Sequence, residues 1–231
     1  MTIPTPNVPE SPRTVLVTGG GRGIGRVIAD RFEALGDKVA VLDLEPPEPH
    51  GHMLSVGADV SDPDSVNAAF DQVEAVLGPV EVLIANAGII RDGLMIRMSD
   101  KDFGAVMRVN LGGAFYCARR AARGMLKLKR GRIVFTGSVV GLYGGNGQVN
   151  YSSSKAGLVG LARSITRELG SRHITANVVA PGFSQTKMPE TLKPETQAQY
   201  LEALPAHYFG TVEDVAAAVE FLASPGAAYI S

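Results

Sequence analysis

Tyr151 and Lys155 stand four residues apart at the head of a run, residues 151 to 169, whose apolar spacing predicts a helix ended by Gly170. Positions i and i+4 share one helix face, so the phenol and the ammonium are neighbours. A free phenol titrates near 10, too high for ready proton exchange at neutral pH. A lysine cation within ~4–6 Å favours the phenolate and lowers that value. The pair is therefore expected to give a proton to, or take one from, a substrate oxygen. Ser138 follows a predicted strand, Arg132 to Thr136, and from the strand end its hydroxyl can hydrogen-bond the same oxygen. The chain has six tyrosines, and a lysine four residues after one of them carries little weight alone; Tyr143 has Gly147 at that spacing.

The weight comes from what surrounds the pair. Val15, Leu16 and Val17 form a short apolar run that reads as a buried strand. Thr18 to Gly25 is a glycine turn, with Gly19, Gly23 and Gly25 as its spaced glycines. Ile24, Val27, Ile28, Phe32 and Leu35 then recur at helical spacing, and Gly36 falls where a left-handed cap belongs. Strand, glycine turn and helix open a mononucleotide-binding unit. The glycines let backbone approach a pyrophosphate, and the helix N-terminus supplies free N–H groups and partial positive charge.

These residues need a scaffold, and the rest of the chain supplies one. Lys38 to Leu42 is a second strand closed by Asp43, and the proline-rich stretch after it cannot be a helix, so the second crossover is short and irregular. Met53 to Gly57 reads as strand three, followed by Asp59; Asp62 and Pro63 then cap a helix faced by Val66, Ala69, Phe70, Val73 and Leu77. Val80 to Ala85 is strand four, closing on Asn86-Ala87-Gly88. Ser99 and Asp102 cap a long helical region reaching about Lys129, with Asn110 in its middle. After strand five, GLYGGNGQ (141–148) reads as a flexible loop; Ile174 to Val179 is strand six, broken by Pro181-Gly182. Residues 183–208 read as a substrate lid, and Thr211 with Asp214 caps a last helix to about Ala223. Alternation of strand and helix predicts one α/β domain, a doubly wound parallel sheet with helices on both faces, over 13–231, preceded by a loose tail at 1–12. Ligands of such sheets bind beyond the carboxyl ends of the strands. Asp43, Asp59, Asn86, Ser138 and Pro181-Gly182 all fall there.

Composition narrows the function. A net charge of −1 argues against a polyanion binder, and no apolar run approaches the ~18–20 residues that span a bilayer. Cys117 is the only cysteine, which excludes an internal disulfide and fits a reducing cytoplasm. His50 and His52 have no third metal ligand near them.

TGGGRGIG, Asn86-Ala87-Gly88, Ser138, Tyr151-x-x-x-Lys155 and Pro181-Gly182, in this order and spacing, make the chain resemble the classical short-chain dehydrogenase/reductase family over Thr14 to Ser231. The resemblance implies a Rossmann-type fold and hydride transfer between nicotinamide and a carbonyl or alcohol. It implies Tyr151 as acid/base, Ser138 orienting the carbonyl, Lys155 also holding the nicotinamide ribose, and Asn110 supporting a proton relay through water. It places Gly19, Arg22, Gly23, Ile24, Gly25, Asp43, Asp59, Val60, Asn86, Gly88, Pro181, Gly182 and Thr186 against NADH or NADPH, with Asp59 at the adenine, Asn86 near the ribose and Thr186 near the carboxamide.

Within the family, GSVVGLYGGNGQVNYSSSKAGLVG and ITANVVAPGF are most similar to 3-oxoacyl-[acyl-carrier-protein] reductases of the actinobacterial branch. That similarity implies reduction of 3-oxoacyl thioesters in fatty-acid biosynthesis, a homotetramer, and docking of an acidic acyl carrier protein at Lys129 and Arg172. Resembling proteins continue into a final strand, so residues beyond Ser231 or a partner are expected to cover the sheet edge. Arg119 to Arg132 holds seven basic residues and no acidic one, which suits a carrier-docking face, a solvated helix face or a subunit contact. Asp43 favours NADH through ribose hydrogen bonds, whereas Arg22 favours the extra phosphate of NADPH. The competing readings are an NAD-dependent dehydrogenase of hydroxyacyl-CoA or another small alcohol, and a catalytically dead nucleotide sensor; the intact Asn110, Ser138, Tyr151 and Lys155 set argues against the sensor.

Overall fold

The computed structural model describes residues 12–46, 48, 51–182, 201–202 and 204–231. Six parallel strands form one sheet, β1 (Thr14–Thr18), β2 (Lys38–Asp43), β3 (Leu54–Gly57), β4 (Val82–Ala85), β5 (Gly131–Thr136) and β6 (Ile174–Val179), in the order β3-β2-β1-β4-β5-β6. The chain winds outward from β1 to β3, then returns to pair β4 against the other side of β1. This reversal leaves a crevice between β1 and β4, the place where doubly wound sheets bind nucleotides.

Strands buried on both faces must be apolar throughout, and these are. Along β1, Leu16 faces one layer while Val15 and Val17 face the other. The first layer packs α2 (Pro63–Leu77), α4 (Ala114–Leu128) and α6 (Val149–Leu169) on the sheet, with Phe70, Phe135 and Leu158 at 0–1% exposure. The second layer packs α1 (Gly23–Ala34) and a C-terminal helix, α7 (Val212–Ala223), through Ile28, Phe32 and Val219. Helix boundaries follow local chemistry. Asp62 accepts the Asp64 N–H ahead of Pro63, Gly36 turns left-handed at φ +85°, and Thr211 with Asp214 forms a reciprocal capping box.

Two segments depart from expectation. The region after Ser99 is helical as far as Leu128 but not uniformly α: α3 (Asp100–Val106) passes into a π-helical stretch, Met107–Gly113, before α4. Residues read as a flexible loop begin with a helical turn, α5 (Val140–Tyr143); its N-terminus is fixed because the Val140 N–H donates to Ser138 Oγ at 3.2 Å. Of the expected lid, 183–200 and 203 lie outside the described residues, as do 1–11 of the tail. No helix among the described residues is long and apolar enough to cross a membrane.

Candidate active site

The glycine turn closes over the β1–β4 crevice. Gly19 and Gly23 take φ of +65° and +57°, a region that L side chains rarely adopt. Gly25 packs so closely that a β-carbon there would collide with the Gly19 carbonyl and the Asn86 amide. Asn86 Nδ2 donates to the carbonyls of Thr18 (3.2 Å) and Gly19 (3.1 Å), and Thr18 Oγ1 accepts the N–H groups of Asn86 and Ala87 at 3.0 Å. Asn86 is thus a lock on the turn. At the N-terminus of α1, Arg22 makes no side-chain capping bond and the first turn carries no acid. An uncapped helix end of this kind fits an anionic pyrophosphate.

Asp43 ends β2 beside this turn. Its Oδ2 accepts the Gly21 N–H at 3.0 Å and its Oδ1 the Leu44 N–H at 2.8 Å. Leu44 is 71% exposed and brings no charge; Arg22 is exposed as well. Beyond β3, Asp59 Oδ1 accepts the Ser61 N–H at 2.8 Å, and Val60 is buried against Gly113 of the π stretch. Pro181 accepts the Val139 N–H at 2.9 Å, tying the end of β6 to the Ser138 segment. Thr186 lies outside the described residues.

The second cluster stands beyond β5. Lys155 is 5% exposed, donates to the Thr136 carbonyl at 2.7 Å and lies 5.6 Å from the centroid of the Tyr151 ring. Burial pushes its ammonium down to about 8. The expected depression of the Tyr151 phenol is not what the geometry produces. Burial raises it above its ordinary value; the Ser138 hydroxyl opposes that by hydrogen bonding, and the Asp92 carboxylate adds to it. Lys155 directs its charge at a carbonyl, so desolvation of the phenol dominates.

Asn110, 1% exposed, is held through both ends of its side-chain amide. Its Oδ1 accepts the Ile89 N–H at 2.8 Å, and its Nδ2 donates to Ile89 O (3.1 Å) and Ser154 Oγ (3.2 Å). Ser154 Oγ in turn donates to the Tyr151 carbonyl at 2.8 Å. The Asn110 amide therefore braces the loop after β4 against α6. Gly88 fits in this brace, where a β-carbon would lie 3.2 Å from Asn110 Oδ1 and 3.6 Å from Lys155 Nζ. Single polar residues in a Ser/Gly-rich run carry no spacing signal, so nothing in the sequence marks Ser154 or the Gln148–Asn150 segment.

Lys129 and Arg172 fall elsewhere. Lys129 closes α4 two residues before β5, and Arg172 sits in the turn just before β6. Both are exposed at the amino ends of their strands, whereas Ser138 and Tyr151 stand at the carboxyl ends. Six-residue strands separate the two ends by roughly 15–20 Å, so within one chain the pair is not at the site mouth. The basic run is also largely spoken for. Arg120 bridges Asp71 and Glu74 at 2.7 Å, Arg130 pairs with Glu81, and Arg119 stacks on Phe115 and Tyr116.

Comparison with known proteins agrees with this geometry. A family model described as short chain dehydrogenase matches residues 13–197. The chain is 50% identical over 219 residues to the 3-oxoacyl-[acyl-carrier-protein] reductase MabA of Mycobacterium avium, covering 95% of this chain and 86% of that protein. MabA of Mycobacterium tuberculosis is 49% identical over the same share of this chain, and FabG of Escherichia coli, also a 3-oxoacyl-[acyl-carrier-protein] reductase, is 41% identical over 230 residues, 93% of its length.

Lys155 gives a test of the site in stability alone. Its folded value of about 8 lies below the unfolded 10.5. The buried charge therefore costs stability at full strength below pH ~8, and that cost fades as the pH rises from about 8 to 10.5. Relative to Lys155→Met, the wild-type protein should gain about 3 kcal/mol of unfolding free energy between pH 7 and 10.5, read by urea denaturation. A flat difference would mean that the lysine is not charged and buried as described.

Proposed function

The chain belongs to the short chain dehydrogenase family, and from that premise we propose that it is a 3-oxoacyl-[acyl-carrier-protein] reductase, an NAD(P)-dependent enzyme of fatty-acid biosynthesis. The observation that carries the reading is the 50% identity to MabA across 95% of the chain, with Ser138, Tyr151 and Lys155 gathered beyond the carboxyl end of β5. A reduced nicotinamide coenzyme held at the glycine turn would supply a hydride for the 3-carbonyl group. Tyr151 gives its phenolic proton to the carbonyl oxygen, leaving a 3-hydroxyacyl thioester. Ser138 holds that oxygen by a hydrogen bond as it gains charge. Lys155 would steady the phenolate formed and hold the nicotinamide ribose, and Asn110 would support the relay through water that returns a proton. A phenol raised above its ordinary value is protonated at neutral pH, which suits an acid in the reductive direction.

The coenzyme choice turns on Asp43. Two backbone N–H groups fix its carboxylate at the end of β2, where it can accept the adenosine ribose hydroxyls. A 2′-phosphate would be repelled there, and Leu44 offers no cation. Arg22 provides a counter-charge, but an exposed one that solvent screens. NADH is the coenzyme these residues favour. The same preference is the feature that a hydroxyacyl-CoA dehydrogenase would share, and substrate assays separate the two readings.

Carrier docking at Lys129 and Arg172 requires a second copy. Both α4 and α6 run from the carboxyl end of the sheet to its amino end. An antiparallel neighbour packed across these helices would bring one chain's Lys129 and Arg172 beside the other chain's site. Phe115 (41%) and Leu126 (40%) are exposed on α4 for such a contact, in keeping with a homotetramer.

The primary test is reduction of a carrier-linked 3-oxoacyl substrate, with acetoacetyl-CoA for comparison. Tyr151→Phe should lower kcat at least ~10²-fold with coenzyme binding retained; an active Phe variant removes Tyr151 from the mechanism. Asp43→Ala should shift kcat/KM toward NADPH by ~10-fold or more, about 1.4 kcal/mol. A wild-type preference for NADPH would put Arg22 in control instead. Reversing Lys129 and Arg172 to Glu should slow turnover of the carrier-linked substrate, more so at low salt, and change acetoacetyl-CoA turnover much less. Equal loss on both substrates would rule out a docking role.

A further inference from the structure

Both backbone polar groups of Tyr151 are held, through buried side chains, by one loop. Tyr151 is the third residue of α6, and the first bond inside the helix runs from the Ser152 N–H to Gln148 O at 2.7 Å. The Tyr151 N–H is thus one of the donors that a helix leaves without an internal partner, and the N-cap Gln148 makes no side-chain capping bond. Asn150 takes that place. Its Oδ1 accepts the Tyr151 N–H at 2.7 Å, and its Nδ2 donates to Arg91 O at 2.8 Å, in the loop after β4. Asn150 is 0% exposed. The Tyr151 carbonyl accepts Ser154 Oγ, which Asn110 joins to Ile89 of the same loop. Gly93 N–H donates to Gly147 O at 2.8 Å and seats the far end of the loop on the approach to the helix.

We propose that Asn150 is a positioning residue for the proton-transfer step: by tying the Tyr151 N–H to Arg91 O it fixes the first turn of α6, and so the place of the phenol. The role rests on the reading of Tyr151 as the proton donor. Helix ends fray, and the phenol is carried by that end. Lys155 sits one turn further in, 5% exposed and bound to the Thr136 carbonyl at 2.7 Å. A loosened first turn would therefore leave the ammonium in place and let the phenol drift from it and from Ser138. The ring centroid lies 5.6 Å from the ammonium. Proton transfer needs hydrogen-bond reach of the substrate oxygen, and a misplacement of ~1 Å can cost ~10²-fold in rate.

An asparagine suits this place. Its amide presents an acceptor and two donors on one planar head, so a single side chain can take an N–H from one segment and give to a carbonyl of another. A carboxylate has no donor for Arg91 O, and an apolar side chain of similar size serves neither group.

Amide hydrogen exchange tests the tether without turnover. In the wild-type protein the Tyr151 N–H should be protected ~10-fold or more over the Val149 N–H of the same turn. Asn150→Leu, which keeps the space filled, should abolish that excess while the Leu158 N–H in mid-helix stays protected. Turnover tests the consequence. Counted per coenzyme-binding site, kcat for 3-oxoacyl reduction by Asn150→Leu should fall ~10-fold or more, with KM and coenzyme affinity within ~2-fold of wild type. Thr14→Ala is the control for stability alone. Thr14 is 3% exposed at the amino end of β1, and its Oγ1 donates to Leu77 O at 2.8 Å. That variant should lower the urea midpoint and leave kcat unmoved. A Tyr151 N–H that exchanges as fast as that of Val149 in the wild type overturns the proposal even if no variant folds. So does an Asn150→Leu kcat within ~2-fold of wild type, or a loss of kcat that Thr14→Ala shares. Activity in Tyr151→Phe would instead overturn the acid/base assignment beneath it; an inactive Phe variant together with an unmoved Asn150→Leu kcat would refute the Asn150 role alone.

Discussion

The structure depends on how closely α1 can approach the ends of β1 and β4. Gly25 touches the Gly19 carbonyl and the Asn86 amide with no room for a single carbon more. That contact brings the N-terminus of α1 over the crevice and leaves its N–H groups pointing outward. The helix end carries no side-chain cap and so keeps its partial positive charge. Asn86 then serves two strands at once, closing off backbone carbonyls of β1 while it terminates β4. A larger residue at position 25 would push the helix away and dissolve the crevice, whatever happened to the catalytic groups.

Most of this was legible in the sequence, because it rests on periodicity and on residues with special backbone habits. The six strands, the cap at Asp62-Pro63, the turn at Gly36 and the box at Thr211 and Asp214 are local chemistry, and local chemistry survives in the fold. The grouping of Ser138 with Tyr151 and Lys155 followed from strand ends and helix faces. What escaped is what depends on distance through space. The raised phenol comes from burial by a folded shell, and the i+4 spacing does not reveal that Lys155 reaches past the ring to the Thr136 carbonyl. The resemblance assigns Lys129 and Arg172 to carrier docking, and their places just before β5 and β6 put them at the amino ends of those strands, away from the site of the same chain.

Asn110 shows the same division. Its place within a long helical run could be read, but its work could not. A polar residue 1% exposed inside a helix demands partners. It finds them in Ile89 and Ser154, on the loop after β4 and on α6. The cost of leaving such an amide unpaired, about 1–3 kcal/mol, is what makes the brace firm.

The π-helical stretch Met107–Gly113 has a geometric meaning of its own. Along an α-helix each residue advances about 100° around the axis, and wider turns advance less. Seven residues of slower winding therefore act as a vernier between two helices that must bury different faces. Upstream, Val106 is directed into the interior; downstream, Cys117, Ala121 and Met125 line up on the sheet. A one-residue deletion that kept the wider winding of this stretch would disturb few contacts directly, yet it would rotate everything beyond it by nearly a quarter turn. Asn110 would then leave Ile89, and Gly113 would leave Val60. The winding number of this short segment keeps the Val60 side and the Ile89 side of the crevice in phase.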